Sequence, residues 1–171
     1  YESMIRFSGA TPVPMQLQED TGYHPDLAQL PSLITKNTRL IILNSPENPC
    51  GSNLTHAELE EIANIVRQYP NMYIMSDEIY KDILYTDSHN SIVAFPGMSE
   101  KTIILDGFSK SYAMTGWRLG YGIMPTDLVP HISRLAVNSV SCAASFSQIA
   151  AIAALEGPQD DVESMVTEFA I

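Results

Sequence analysis

The chain has few charged residues, few cysteines and no long hydrophobic run, and each shortage narrows the possible classes of protein. Charged residues make up 17% of the 171 residues, against roughly 25% in a typical globular protein, so we expect part of the exterior to be covered. Two cysteines are too few for a disulfide framework and fit a reducing, cytoplasmic compartment. The most apolar stretch, residues 149–155, is far too short to span a membrane.

The net charge excludes further classes. A formal charge of −11 repels phosphate backbones and anionic headgroups, so binding to nucleic acid or to a membrane through a basic patch is not expected. No signal peptide is visible. The sequence starts at Tyr1 and stops at Ile171, and both ends read as cut from a longer chain.

The order of apolar segments predicts an α/β fold. The predicted strands are residues 11–17, 39–43, 72–75, 102–105 and 119–124, and the predicted helices are residues 1–7, 24–34, 55–69, 126–137 and 146–155. Thr55 and Glu58 form a capping-box pattern, and apolar residues follow at helical spacing, namely Leu59, Ile62, Ala63, Ile65 and Val66. Short apolar strands between helices indicate a mostly parallel sheet with helices on both faces.

Polar side chains follow three of these strands. Asn44 and Asn48 follow the strand at 39–43, Asp77 follows the strand at 72–75, and Ser109 and Lys110 follow the strand at 102–105. Ligands of open α/β sheets bind beyond the carboxyl ends of the strands. The sequence therefore predicts one site at one edge of the sheet.

These residue types suit one cofactor, pyridoxal 5′-phosphate. It needs a lysine for its aldehyde and a carboxylate beside its pyridine nitrogen. We expect Lys110 to form the Schiff base and to act as general base, and Asp77 to contact the nitrogen. Donors for the ring oxygen and the phosphate are also needed, and the candidates are Tyr80 and Asn48 for the oxygen and Arg118 and Ser109 for the phosphate.

Each residue also has a simpler interpretation. Lys110 alone would be a surface lysine, and Asp77 would cap a helix beginning at Glu78, which is itself an alternative carboxylate. Tyr80 would be a packed tyrosine, and Asn48 would be a turn residue. Arg118 would stack on Trp117. Five separate structural roles for residues that occur in this order along the chain are less credible than one shared cofactor site.

Three motifs together carry a family resemblance over residues 1–155. They are Asn-x-Pro-x-Asn-Pro-x-Gly at 44–51, Ser-Asp-Glu-Ile-Tyr at 76–80, and Ser-Lys-(x)5-Gly-Trp-Arg-Leu-Gly-Tyr at 109–121. The chain thereby resembles the class I/II aminotransferases, which are fold-type I pyridoxal-phosphate enzymes. It departs from the family at Cys50, where threonine is common, and at Gly107, where many relatives have a phosphate-binding serine.

The resemblance implies transamination between an amino acid and a 2-oxo acid by a homodimer. It places the Schiff base on Lys110, the pyridine contact on Asp77, the ring-oxygen contacts on Tyr80 and Asn48, and a phosphate contact on Arg118. It also implies that residues 1–171 are part of a large cofactor-binding domain, without its N-terminal part and without the small domain. The alternatives are a lyase or synthase on the same cofactor, and a catalytically inactive piece.

Overall fold

The computed structural model describes residues 1–85 and 88–171, which divide into two compact units. The first, residues 1–38, contains helices α1 (Glu2–Phe7) and α2 (Leu30–Leu33) and two 3-10 turns, Glu19–Thr21 and Leu27–Gln29. The second, residues 39–171, contains strands β1 (Leu40–Asn44), β2 (Tyr73–Asp77), β3 (Thr102–Gly107) and β4 (Gly120–Ile123), and helices α3 (His56–Arg67), α4 (Val129–Ser139), α5 (Ser145–Glu156) and α6 (Asp160–Phe169).

Two predictions in the first unit are corrected. Residues 11–17 form no strand, and Pro12 and Pro14 cannot donate backbone hydrogen bonds to a neighbouring strand. The helix predicted at 24–34 is reduced to a 3-10 turn, capped by the Asp26 side chain, and to the four-residue α2. Pro31 lies in the first turn of α2, where its missing N–H does no harm.

The second unit is built on a four-stranded sheet with the order β1-β2-β3-β4. The first three strands are parallel, whereas β4 runs antiparallel to β3. Asn44 is in register with Asp77, and Asp77 with Leu105. This arrangement confirms a mostly parallel sheet with helices, and it brings the carboxyl ends of β1, β2 and β3 to the same edge.

Buried residues of the second unit are concentrated on α3 and on the two central strands, β2 and β3. All five residues of the predicted apolar stripe of α3 are buried, as are Met72, Ile74, Ile92 and Met98. The strand predicted at 39–43 is present as β1, but it is not buried, because it lies at an edge of the sheet and Leu40 is 41% exposed. Strand β4 lies at the other edge, and all four of its residues are exposed.

Local signals placed the start of α3 correctly. The Thr55 hydroxyl accepts a hydrogen bond from the Glu58 N–H at 3.2 Å, and the Glu58 carboxylate accepts one from the Thr55 N–H at 2.7 Å.

The predicted helices at 126–137 and 146–155 are present as α4 and α5, whereas α6 was not predicted. No helix within residues 1–85 and 88–171 is both long enough and apolar enough to cross a membrane.

Candidate active site

The end of β1 is fastened to the end of β2 by Asn44. Its side-chain amide donates to the backbone oxygen of Asp77 at 3.2 Å, and its side-chain oxygen accepts from the N–H of Asn48 at 3.0 Å. A single side chain therefore links the turn after β1 to the strand end that carries Asp77.

The turn itself is closed around Glu47. The backbone oxygen of Glu47 accepts from Gly51, and its carboxylate accepts from the N–H of Cys50 at 2.7 Å. Gly51 has a φ of +80°, which only glycine adopts without strain. The closed turn presents the side chain of Asn48 towards the turn that follows β2.

Asn48 and Tyr80 are brought into direct contact. The side-chain amide of Asn48 donates to the Tyr80 hydroxyl at 3.0 Å. The helix that we expected to begin at Glu78 is not formed, because residues 79–82 make consecutive turns with bonds from Lys81 to Glu78 and from Ile83 to Tyr80. Asp77 is thus not a helix cap, although its carboxylate accepts a long 3.4 Å bond from the Ile79 N–H.

Glu78, the alternative carboxylate, is committed elsewhere. It is buried and accepts hydrogen bonds from the hydroxyls of Ser76 and Ser91 at 2.9 and 2.7 Å, and its other oxygen lies 2.9 Å from His89 Nε2. Burial raises the pKa of Glu78, but the hydrogen bonds from His89, Ser91 and Ser76 outweigh it and leave the pKa below its ordinary value. Asp77 is therefore the better candidate for the site.

Lys110 lies against Tyr80. Its Nζ is 5.5 Å from the centre of the Tyr80 ring, within the range of a cation–π contact. The loop after Lys110 contains two non-glycine residues in the left-handed region, Ala113 at φ +51° and Arg118 at φ +53°. Such strained residues persist where the surrounding structure holds them and are frequent at functional sites.

Ser109 and Lys110 open onto a cavity. It has a volume of about 510 Å³ and is lined by Tyr80, Ile83, Tyr85, Ser109, Lys110, Ala113, Met165 and Phe169. Two of these side chains, Met165 and Phe169, come from the unpredicted helix α6. The acidic first turn of that helix, Asp160, Asp161 and Glu163, was a start signal that the sequence analysis did not use.

Arg118 is exposed and points its guanidinium back onto its own turn. Its Nη1 donates to the backbone oxygen of Thr115 at 3.2 Å, and within the described residues it makes no hydrogen bond to the other five predicted site residues. The suggested stacking of Arg118 on Trp117 is replaced by a ring contact between Trp117 and Phe146, whose centres are 6.3 Å apart.

The structure gives a reason for Gly107, which departs from the serine of many relatives. A Cβ atom at this position would lie 2.9 Å from Gly120 Cα and 3.1 Å from the Leu119 backbone oxygen. Strands β3 and β4 approach too closely there for any side chain. Position 107 therefore cannot supply a hydroxyl, and Ser109 stays the predicted hydroxyl donor from this loop.

Sequence reasoning missed a polar cluster beside Lys110. Lys81 lies 2.6 Å from the Asp82 carboxylate and 3.2 Å from that of Asp106, which also accepts from the Tyr121 hydroxyl at 2.6 Å. Ser111 donates to Asp82 at 2.9 Å. The available signals were an aspartate at the end of the apolar run 103–105 and a lysine directly after Tyr80.

The donor set fits pyridoxal phosphate. An amide hydrogen-bonded to a phenol, and a lysine amine next to that phenol, lie at the edge of the sheet where β2 ends in the carboxylate of Asp77. Arg118 and Ser109 could hold the phosphate from the loop that carries Lys110. The arrangement thus offers a partner for each polar group of that cofactor.

The chain is similar to known aminotransferases over nearly its whole length. The family model described as "Aminotransferase class I and II" matches residues 1–170. An aspartate aminotransferase from Pinus pinaster is 45% identical over 158 residues, which cover 91% of this chain and 32% of that protein. The chain spans well under half of the length of the curated relatives that it matches first.

Solved structures of aminotransferases have the same fold as this chain. The aromatic aminotransferase of Pyrococcus horikoshii OT3 has a TM-score of 0.94 at 36% identity, covering 99% of this chain and 46% of that chain. The aspartate aminotransferase of Rhizobium meliloti has a TM-score of 0.95 at 30% identity, covering 99% of this chain and 43% of that chain. The resemblance predicted from the motifs is confirmed, and the chain belongs to the class I and II aminotransferase family.

Proposed function

We propose that this chain carries the pyridoxal-phosphate-binding, catalytic part of an aminotransferase that moves an amino group between an amino acid and a 2-oxo acid. The observation that supports this most is the convergence of Asn48, Tyr80 and Lys110 at the sheet edge where β2 ends in Asp77. When bound, the cofactor supplies an aldehyde and a protonated ring that accepts electrons.

Lys110 is the proposed catalytic residue. Its Nζ is the amine that would bond to the cofactor aldehyde and be displaced by the amine of the substrate. Once displaced, the same nitrogen can take the proton from the α-carbon of the substrate. Its place beside Tyr80, half-buried at the cavity, keeps it close to where a bound amino acid would react.

The other residues bind and orient. Asp77 would keep the pyridine nitrogen protonated, because a carboxylate next to that nitrogen favours its charged form. Asn48 and Tyr80, joined to each other at 3.0 Å, would donate to the ring oxygen. Arg118 and Ser109 would bind the phosphate through a guanidinium fork and a hydroxyl.

The proposal has three further parts. Residues 1–171 would be the central part of a large domain, since the chain matches relatives over nearly its whole length but over less than half of theirs. A homodimer is what the family resemblance implies. A cytoplasmic location agrees with Cys50 and Cys142, which are both exposed and unpaired.

The test compares Lys110→Ala with Lys36→Ala, an exposed lysine in the first unit, in the full-length protein. Relatives named for aspartate and aromatic amino acids make aspartate and phenylalanine the first donors, with 2-oxoglutarate as acceptor. We expect Lys110→Ala to lower the transamination rate by at least about 10² to 10⁴-fold and Lys36→Ala to leave it unchanged. Wild-type turnover by Lys110→Ala would reject the proposal, and acceptor-independent product release would indicate a lyase.

A further inference from the structure

The Lys81 side chain sits between two carboxylates. Its Nζ lies 2.6 Å from Asp82 Oδ2 and 3.2 Å from Asp106 Oδ2, and the side chain is 32% exposed. Burial lowers the pKa of Lys81, but the hydrogen bond that Lys81 donates to Asp82 and the charge of Asp106 outweigh this effect and raise the pKa above its ordinary value. The raised pKa favours the charged form of Lys81.

Asp106 needs this positive charge. Its side chain is only 4% exposed, and a buried carboxylate is costly unless it is paired and hydrogen-bonded. One oxygen accepts from the N–H of Gly107 at 2.6 Å, and the other accepts from the Tyr121 hydroxyl at 2.6 Å. Among the described residues, Lys81 is the cation that forms an ion pair with Asp106.

The cluster holds the chain on both sides of Lys110. Asp106 immediately precedes Gly107, where the loop leaves β3. Ser111 immediately follows Lys110, is buried, and donates to Asp82 at 2.9 Å. Lys81 bridges Asp106 and Asp82, and so links the end of β3 to the residue that follows Lys110.

The same cluster also fixes Tyr80. Lys81 follows Tyr80 directly in the turn after β2, and the Lys81 N–H donates to Glu78 within that turn at 2.9 Å. Lys81 is paired with Asp82 and Asp106, and it therefore restrains the backbone next to the Tyr80 ring. The contact between that ring and Lys110 Nζ spans 5.5 Å.

We propose that Lys81 is a positioning residue, which holds the Lys110 amine against Tyr80 by bridging Asp82 and Asp106. This inference rests on the proposed function, since it takes Lys110 as the reactive amine. Reaction rates depend steeply on such placement, and a misplacement of about 1 Å can cost about 100-fold. A purely structural ion pair would instead change stability and leave the reactivity of Lys110 as it was.

A matched lysine separates the two roles. Lys101 also fastens β2, but at the opposite end, where its Nζ donates to the backbone oxygens of Tyr69, Pro70 and Met72 at 2.8, 3.0 and 3.4 Å. Lys101→Met therefore removes a structural lysine of the same sheet without touching the Lys110 loop. Lys81→Arg keeps the charge and can still contact two carboxylates.

The experiment measures how fast Lys110 reacts with pyridoxal phosphate in the full-length protein, by borohydride trapping and mass spectrometry of the Lys110 peptide. We expect Lys81→Met to slow labelling about 10 to 100-fold and to lower kcat more than it changes KM. Lys81→Arg should recover most of the rate, and Lys101→Met should lower the melting temperature while labelling stays at the wild-type rate.

Each result decides between the claims. Labelling of Lys81→Met at the wild-type rate overturns the positioning role and leaves the proposed function standing. Absence of label on wild-type Lys110 overturns the proposed function and this inference with it. If Lys81→Met does not fold, Ser111→Ala replaces it, because it removes one bond of the same cluster: slower labelling supports the inference and an unchanged rate overturns it.

Discussion

Tyr121 reports on the buried charge next to the proposed catalytic loop. Partial burial raises the pKa of its phenol, and the hydrogen bond to Asp106 and the negative charge of Asp106 raise it further, to about 12. The phenol donates its proton to that carboxylate at 2.6 Å, so ionisation would place two negative charges in contact. The titration of one tyrosine thus measures whether Asp106 is charged and in place.

Asp106→Asn should lower the pKa of Tyr121 from about 12 towards its ordinary value of 10.0. The amide keeps the shape of the side chain but removes the repulsion between carboxylate and phenolate, whereas the contribution of burial remains. The measurement is the ultraviolet absorbance of tyrosinate against pH, with Asp106→Asn/Tyr121→Phe as the reference that identifies the signal. An unchanged pKa would mean that burial alone raises it.

Residues of the site differ in how far the sequence could place them. Asn44 and Asp77 follow from the strand pattern, because parallel strands end at one edge and their register pairs these two residues. The bond from Asn48 to Tyr80 and the ion pairs of Lys81 depend on turn geometry after β1 and β2. Local propensity does not fix such turns, so these contacts needed coordinates.

Helices and strands could be predicted from the sequence where the capping residues, the apolar spacing and the absence of proline in one segment all favour the same structure. Helix α3 has a capping box, a continuous apolar stripe and no proline, and the structure begins it one residue after Thr55. Residues 11–17 lack such agreement, because a strand is stabilised by a neighbouring strand that the segment itself does not specify. Helix α6 was missed although Val162, Met165, Val166 and Phe169 have helical spacing and its first turn is acidic.

Thr55→Ala should destabilise the protein by about 1 kcal/mol, because it leaves the N–H of Glu58 without its side-chain acceptor at the start of α3. Thr55→Ser is the matched control, since it retains the hydroxyl and should cost much less. The free energies of unfolding come from urea titrations followed by circular dichroism. Equal losses for alanine and serine would show that the hydroxyl does not act as a cap.

At the scale of the second unit, apolar side chains are unevenly buried. The residues of α3 that face the core are 0–8% exposed. Helices α4 and α5 instead present apolar side chains to the outside, namely Val129, Ile132, Leu135, Val137, Phe146, Ile149, Ile152 and Leu155. The low charge content of the sequence agrees with this exposed apolar surface, and the stability of the 171-residue chain should therefore depend on α3 far more than on α4.

Alanine substitutions of two isoleucines in the 171-residue chain test this distribution of buried residues. Both isoleucines lie in helices, but Ile62 in α3 is 2% exposed and Ile132 in α4 is 41% exposed. Ile62→Ala should cost about 2–5 kcal/mol, because it removes buried methyl groups and leaves a cavity. Ile132→Ala should stay within about 0.5 kcal/mol of wild type, since little surface is buried there. Denaturant midpoints measured at several protein concentrations decide the question. A large loss at Ile132 that grows with protein concentration would contradict the expectation, because it would show that a second copy of the chain covers α4.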